Sequence, residues 1–210
     1  DLYAAAQRLF AAFVLVLATI VVGLALAGTS KALAVLGLAL AVWLITGSLC
    51  EMAFRVKLFR APLAESVRRA SGLPRAAFGT TLAHLGLGLT VLGIVASSAW
   101  NTELITTMKP GDTVEAGGRS LTLDGFLPVS GGTYSGTAAR FTVREGGTVV
   151  ATLAPEKRLY SVQNMPTTES AIRTFGLSQL YVSLGDIQPD GATVVRVYWK
   201  TLITLIWIGA

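Results

Sequence analysis

The chain has 210 residues, of which 52% are hydrophobic and 14% are charged, and its formal net charge is +5. A mean hydropathy of +0.62 is too high for an ordinary soluble domain of this length and excludes a purely soluble protein. A single cysteine, Cys50, excludes a disulfide framework. Because the second half is more polar and richer in glycine, we expect an apolar part and a water-exposed part.

Three apolar stretches predict membrane-spanning helices at residues 9–27, 32–54 and 76–99. About 20 apolar residues suffice to cross the hydrocarbon core of a bilayer. The first stretch is too long for the apolar core of a signal peptide, which favours a spanning helix. Residues 198–210 predict the start of a fourth spanning helix, with Tyr198 and Trp199 at the membrane interface.

A basic loop at residues 55–75 separates the second and third apolar stretches. Its cations are Arg55, Lys57, Arg60, Arg68, Arg69 and Arg75, against one acid, Glu65. A basic segment can indicate nucleic-acid binding, but a short basic connector between two apolar spans is typical of the cytoplasmic side of a membrane. We therefore expect a cytoplasmic loop, no nucleic-acid partner, and an extracytoplasmic location for residues 101–197.

Residues 101–197 predict a small all-β domain, either a barrel or a sandwich. Two Gly-Gly pairs, 117–118 and 146–147, each separate two short stretches with strand character. A short helix is expected at residues 167–172, after Pro166. The candidate strands are residues 112–116, 119–126, 138–144, 148–153, 158–162, 180–184 and 193–198.

His84, the only histidine, lies in the third apolar stretch. An ionisable residue inside a membrane is costly and often functional, so His84 is a candidate ligand of a metal or a haem. It can alternatively form a structural hydrogen bond to a neighbouring helix. At helical spacing, the small residues Thr80, Thr81 and Gly88 share its face, where a flat cofactor would lie. The opposite face predicts helix packing through Gly79, Gly86 and Gly93.

Several motifs carry a family resemblance from about Ser48 to the end of the chain. They are AHLGLGLTVLGI (83–94), MKPGDTVEAGGRSLTLDGF (108–126), APEKRLYSVQNMPTTESAI (154–172), LYVSLGD (180–186) and VRVYWK (195–200). In their order and spacing they resemble the C-terminal part of CcmF, the large membrane subunit of the cytochrome c maturation haem lyase. The fold expected is therefore transmembrane helices, three complete and one begun, with an inserted β-domain.

The resemblance implies a multi-pass protein of the bacterial inner membrane, with its β-domain in the periplasm. Its implied partners are a holo haem chaperone, other cytochrome c maturation subunits and apocytochrome c, within membrane lipid. The family holds a b-type haem between two transmembrane histidines, and His84 matches one of these axial ligands. The other ligand and the substrate-haem motif lie outside this sequence, so the chain alone is not expected to be active.

The β-domain shows no catalytic constellation. Its charged cluster predicts a partner surface formed by Glu156, Lys157, Arg158, Thr168 and Glu169. Two other functions remain open: a subunit that transfers electrons from quinol to haem, or a non-catalytic membrane scaffold for assembly. The first predicts a redox-active b-type spectrum, and the second predicts no haem.

Overall fold

The computed structural model describes residues 2–162 and 164–210, with side chains from residue 6 onward. The chain divides into two compact units. The helical unit comprises Asp1–Ala99 and Leu202–Ala210, and the β-domain comprises Trp100–Thr201. The chain thus leaves the helical unit once, builds the β-domain, and returns.

Where the structure describes it, the helical unit contains five helices and one 3₁₀ turn. The helices are α1 (Leu2–Ala27), α2 (Ala32–Arg55), α3 (Leu63–Ser71), α4 (Arg75–Ala99) and α5 (Thr204–Gly209), and the 3₁₀ turn is Thr29–Lys31. The three long helices are rich in Ala and Leu and contain no proline, which favours uninterrupted helix. By length and apolar composition each of the three is a candidate membrane span.

Consecutive long helices pack side by side, α1 on α2 and α2 on α4, and α5 packs on α4. Glycines allow the close contacts. A Cβ atom at Gly88 would lie 2.6 Å from Cγ1 of Ile45 on α2, and one at Gly93 would lie 2.8 Å from the backbone nitrogen of Ile206 on α5. Much of the remaining surface is apolar and exposed, as a lipid-facing surface requires.

Two parts of the helical unit differ from the sequence-based expectation. The basic loop contains a helix, α3, which was not predicted. The final helix begins at Thr204 rather than at Tyr198, because the last strand continues through Tyr198 and Trp199. Trp199 pairs with Thr102 on one side and with Leu180 on the other, and these two neighbours hold the segment in a strand.

The described residues of the β-domain form ten strands in two antiparallel sheets. The strands are β1 (Thr102–Met108), β2 (Thr113–Ala116), β3 (Arg119–Ser130), β4 (Tyr134–Glu145), β5 (Thr148–Leu153), β6 (Glu156–Tyr160), β7 (Met165–Glu169), β8 (Ala171–Phe175), β9 (Ser178–Ile187) and β10 (Thr193–Lys200). One sheet has the order β1-β10-β9-β8, and the other has β2-β3-β4-β6-β7 with β5 paired to β4. The fold is therefore a sandwich, one of the two predicted alternatives.

Both predicted Gly-Gly hairpins are present. Gly117 and Gly118 have φ values of 59° and 74°, and Gly146 and Gly147 have values of 56° and 84°. Two successive residues with positive φ give the turn whose twist matches that of the flanking strands, and glycine adopts this conformation without steric cost.

Side chains that alternate inward along the strands form the core of the β-domain. Its largest members include Met108, Leu121, Leu123, Phe141, Val143, Leu180, Val182, Val195 and Val197, all 1% exposed or less. The two sheets pack through these residues. Apolar burial of this kind holds the sandwich together without a disulfide.

The prediction of a short helix at residues 167–172 was wrong. This segment forms the end of β7 and the start of β8, which belong to different sheets, and the chain passes between the sheets at Ser170. Thr168 pairs with Lys157 of β6, and Ile172 pairs with Tyr181 of β9. Strand partners distant in sequence thus outweigh a local signal for a helix N-terminus, and Thr and Ile are themselves favourable in strands.

Candidate cofactor site

A cavity of about 550 Å³ lies between α1, α2 and α4 in the helical unit. This volume falls within the range of roughly 300–1,000 Å³ that is usual for small-molecule and cofactor sites. Apolar side chains, among them Leu9 and Trp43, form much of its wall. The polar lining residues are Ser48, Glu51 and Arg55 of α2 and Thr80, Thr81 and His84 of α4.

The imidazole of His84 is oriented by its own helix. Its Nδ1 lies 2.7 Å from the carbonyl oxygen of Thr80, one turn earlier. A carbonyl oxygen only accepts hydrogen bonds, so Nδ1 carries the proton and donates it. The lone pair of the neutral ring is then on Nε2. Because the side chain is exposed in this chain, a further group has access to that nitrogen.

Thr80 and Thr81 present small side chains to the cavity. Each hydroxyl donates a hydrogen bond to the carbonyl one turn earlier, that of Thr80 to Ala76 at 2.9 Å and that of Thr81 to Ala77 at 3.0 Å. Their hydroxyl hydrogens are therefore used within α4. A small wall without free hydrogen-bond donors suits the apolar face of a flat ring system.

The structure separates Gly88 from the other three predicted cofactor-facing residues. Gly88 is buried in the contact between α4 and α2, against Leu44 and Ile45, and is not among the residues that line the cavity. Gly86 and Gly93 meet α5, as expected of a packing face, whereas the position of a Cβ at Gly79 is open.

One end of the cavity is charged, a feature that the sequence analysis did not identify. Nε of Arg55 donates to Oε1 of Glu51 at 2.9 Å, one turn apart on α2. Both side chains line the same cavity as His84. This ion pair could have been predicted from the sequence, because a Glu and an Arg stand four residues apart inside an apolar helix. Cys50 is not among the residues that line the cavity.

The donor set suits a haem better than a free metal ion. Among the described residues, no three His, Cys, Asp or Glu side chains are grouped to hold a metal. A porphyrin supplies four nitrogen ligands itself, so its iron needs only axial groups from the protein. One imidazole with a free Nε2, beside an apolar cavity with a cation in its lining, fits these requirements.

The five predicted partner-surface residues lie on β6 and β7 but occupy two faces of the sheet. Neighbouring residues of a strand point to opposite faces. Nε of Arg158 lies 2.8 Å from Oε2 of Glu156, and Nη1 lies 3.7 Å from Oε1 of Glu169. On the other face, Lys157 forms an ion pair with Asp186, and the hydroxyl of Thr168 donates to the carbonyl of Leu184.

The face that carries Arg158 is also aromatic. The Arg158 guanidinium lies 4.4 Å from the centroid of the Tyr134 ring, which is 5.6 Å from that of Tyr160. The hydrogen bond to Glu156 raises the pKa of Arg158 above its ordinary value, so the guanidinium stays charged. Arginine and tyrosine are enriched in the residues that dominate protein–protein binding.

Known proteins resemble both the helical unit and the β-domain of this chain. The family "CcmF C-terminal beta-sandwich" matches residues 99–201. The cytochrome c-type biogenesis protein CycK of Rhizobium meliloti is 50% identical over 210 residues, which are 100% of this chain and 31% of that protein. The cytochrome c-type biogenesis protein CcmF of Pseudomonas aeruginosa is 38% identical over 170 residues, 81% of this chain and 26% of that protein.

The fold has a solved counterpart. The structure named cytochrome c heme lyase CcmF superimposes with a TM-score of 0.70 over 94% of this chain and 32% of that chain, at 16% sequence identity. At this identity the similarity concerns the fold. The present chain spans about a third of the length of the CycK proteins that it matches. Together the β-sandwich match and the full-length similarity to CycK show that the chain belongs to the CcmF family and corresponds to a C-terminal portion of its members.

Proposed function

We propose that this chain is the part of a cytochrome c maturation protein that helps to hold a haem in the membrane, with His84 as one axial ligand of the iron. The single observation that carries the proposal is the hydrogen bond from Nδ1 of His84 to the Thr80 carbonyl, which leaves Nε2 free beside a cavity between apolar helices. A histidine that ligates a metal through one ring nitrogen usually donates a hydrogen bond from the N–H of the other ring nitrogen. Several relatives bear the name cytochrome c-type biogenesis protein.

The haem proposed here is b-type, held without a covalent bond to the protein. The sequence has no C-x-x-C-H motif, and its one cysteine lies outside the cavity lining. His84 is the only histidine, so a second axial histidine would come from outside this chain.

Each lining residue has a distinct role in this proposal. Thr80 fixes the tautomer and ring orientation of His84 through its carbonyl oxygen. Leu9 and Trp43 contribute apolar walls that exclude water. Arg55, the one cation among the described lining residues, is suited to pair with a carboxylate of the haem. A bound haem would supply an iron with accessible ferrous and ferric states.

For the whole protein we propose the haem lyase role that the family resemblance implies. Haem would come from a haem chaperone and be attached to the cysteines of apocytochrome c in the periplasm, with the β-domain on that side of the inner membrane. The basic connector between α2 and α4 supports this orientation, and the similar solved structure is named a heme lyase.

A second role concerns the β-domain. We propose that the surface formed by Tyr134, Glu156, Arg158 and Glu169 docks another subunit of the maturation system. The support is a guanidinium held over an aromatic ring and between two carboxylates, which gives a rigid recognition surface at little cost in side-chain entropy.

The visible absorption spectrum of the purified intact protein tests the role of His84. We expect His84→Ala to abolish or greatly reduce the b-type haem bands, and imidazole in solution to restore part of them by filling the vacant position. Thr81→Leu should also lower the haem-to-protein ratio, because the larger side chain enters the cavity.

Ser97→Ala is the matched control, since it removes a polar group from the same helix outside the cavity lining. It should leave the spectrum unchanged. A His84→Ala protein with a full six-coordinate spectrum at the normal haem content would show that the histidine is structural and that the proposal is wrong.

A further inference from the structure

Two arginines from different parts of the chain meet at one aromatic ring. The guanidinium carbon of Arg8 on α1 lies 4.4 Å from the centroid of Phe54, and that of Arg60 lies 5.2 Å from the same centroid. We call Arg8, Phe54 and Arg60 the Phe54 cluster. It lies at the end of α2 from which the basic connector, residues 56–74, leads to α4. Two like charges at one ring repel each other, so an anion that contacts both guanidinium groups would be favourable.

No carboxylate of the described residues supplies that anion. The ion pairs at this end of the helical unit join Arg55 to Glu51 and both Arg68 and Arg69 to Glu65. None of the ion pairs among the described residues includes Arg8 or Arg60. Nε of Arg8 is moreover buried without a hydrogen-bond partner in the described structure. A buried donor that lacks an acceptor is unfavourable, so an acceptor from outside the described residues would stabilise this arrangement.

The connector has a strained backbone where the chain turns back and places Arg60 beside Phe54. Lys57 and Phe59 have φ values of 54° and 65°, in the left-handed region that residues other than glycine seldom adopt. The carbonyl of Lys57 accepts hydrogen bonds from the backbone nitrogens of Arg60 at 2.9 Å and Ala61 at 3.1 Å. This tight coil reverses the chain after α2. Backbone strain of this kind concentrates at functional sites.

The connector also exposes large apolar side chains next to these cations. Phe59 is 93% exposed, Leu63 is 73% exposed and Val67 is 61% exposed. Leu63 and Val67 are one turn apart on α3, whereas Glu65, Arg68 and Arg69 lie around the opposite side of the helix. A short amphipathic helix with an exposed apolar face, beside the ends of membrane-length helices, is typical of a segment that lies in the membrane interface.

We propose that this end of the helical unit binds an anionic phospholipid of the surrounding membrane. Arg8 and Arg60 hold the headgroup phosphate, and Phe59, Leu63 and Val67 lie at the boundary with the acyl chains. Phosphate accepts hydrogen bonds from several guanidinium nitrogens at once, so one phosphate group can be bound by both arginines. Basic clusters next to membrane-spanning helices recognise anionic headgroups by this chemistry.

The test is phospholipid binding to the intact, delipidated protein in detergent, followed by native mass spectrometry. Phosphatidylglycerol and phosphatidylcholine serve as the two probes. We expect bound phosphatidylglycerol, little phosphatidylcholine, and roughly thirtyfold weaker phosphatidylglycerol binding after the double substitution of Arg8→Gln and Arg60→Gln. Arg68→Gln with Arg69→Gln is the control, because it removes the same charge from the same connector away from Phe54.

Equal losses in the two double variants would overturn the proposal, since they would reveal general charge attraction rather than a site. Inorganic phosphate that displaces the lipid completely at equal concentration would also overturn it, by making a free anion the ligand. If the Arg8 variant fails to fold, Phe59→Ser with Leu63→Ser tests the exposed apolar contacts alone. These changes should weaken phosphatidylglycerol binding, and unchanged binding would count against the proposal.

Discussion

The proton on Nδ1 of His84 is placed by a backbone group that is already part of a helix. In the regular α-helical pattern the Thr80 carbonyl also accepts a hydrogen bond from the His84 backbone nitrogen. A second bond from Nδ1, at 2.7 Å, uses its remaining lone pair. The helix thus satisfies one ring nitrogen without help from a neighbouring helix, and the other ring nitrogen is available as a ligand.

The Arg158 side chain gives a residue-scale prediction for the β-domain. We expect Arg158→Ala to weaken binding of the intact protein to the other cytochrome c maturation subunits by about tenfold or more, as truncation of a central interface arginine commonly does. Biolayer interferometry with the purified subunits measures this affinity. The haem spectrum should not change, because Arg158 belongs to the β-domain and not to the cavity.

Arg140→Ala provides the comparison for that measurement. Arg140 lies on the same sheet and is 57% exposed, with an ion pair to Asp124 at 3.5 Å. It should have little effect on affinity. Equal losses for Arg140→Ala and Arg158→Ala, or loss of haem with partners still bound, would contradict a docking role for this surface.

At the scale of elements, α4 uses its faces differently. The face with Thr80, Thr81 and His84 lines the cavity, Gly88 contacts α2, and Gly86 and Gly93 contact α5. Small residues at the two helix contacts let the backbones approach closely, which is how apolar helices associate in the absence of a hydrophobic driving force. α4 therefore both holds the candidate ligand and connects its neighbours.

Gly93→Val should destabilise the helical unit by about 1–3 kcal/mol, the usual cost of forcing extra methyl groups into a tight contact. A Cβ there would approach the backbone nitrogen of Ile206 to 2.8 Å. Thermal unfolding of the detergent-purified intact protein measures the change.

Gly79→Val makes the same substitution in the same helix at a position where the added Cβ would meet no other described element within 4 Å. Its effect on the unfolding temperature should be near zero. If both variants unfold at the same temperature, the contact between α4 and α5 does not depend on the glycine.

We also predict on which side of the membrane the connector and the β-domain lie. The connector between α2 and α4 carries the excess of positive charge, so we predict that it faces the cytoplasm while the β-domain faces the periplasm. Single cysteines at Ser71 and Gly132, introduced in a Cys50→Ser background, allow labelling of whole cells with an impermeant maleimide. Gly132→Cys should react in intact cells and Ser71→Cys only after the membrane is opened; labelling of both from the same side would contradict the orientation.

Local sequence patterns correctly predicted the elements whose stability depends mainly on residues close to one another in the sequence. The three candidate membrane spans follow from long apolar stretches, because a backbone in lipid must satisfy its own hydrogen bonds. The hairpins at Gly117-Gly118 and Gly146-Gly147 follow from the positive φ values that their turns require. The candidate ligand His84 could be selected because it is the only histidine and lies in an apolar stretch.

Contacts between residues distant in sequence decided the rest. Residues 167–172 have a plausible local start for a helix, but pairing with β6 and β9 makes them strands. Gly88 shares the helical face of His84 by spacing, yet the position of α2 buries it away from the cavity. Packing of α2 against α4 also brings Glu51 and Arg55 into the lining of the cavity that contains His84. The long apolar helices and the candidate ligand could be identified from the sequence alone, since both depend on composition and local conformation. The side chains around His84 depend on how separate helices pack against each other. They could therefore be identified only from the tertiary structure.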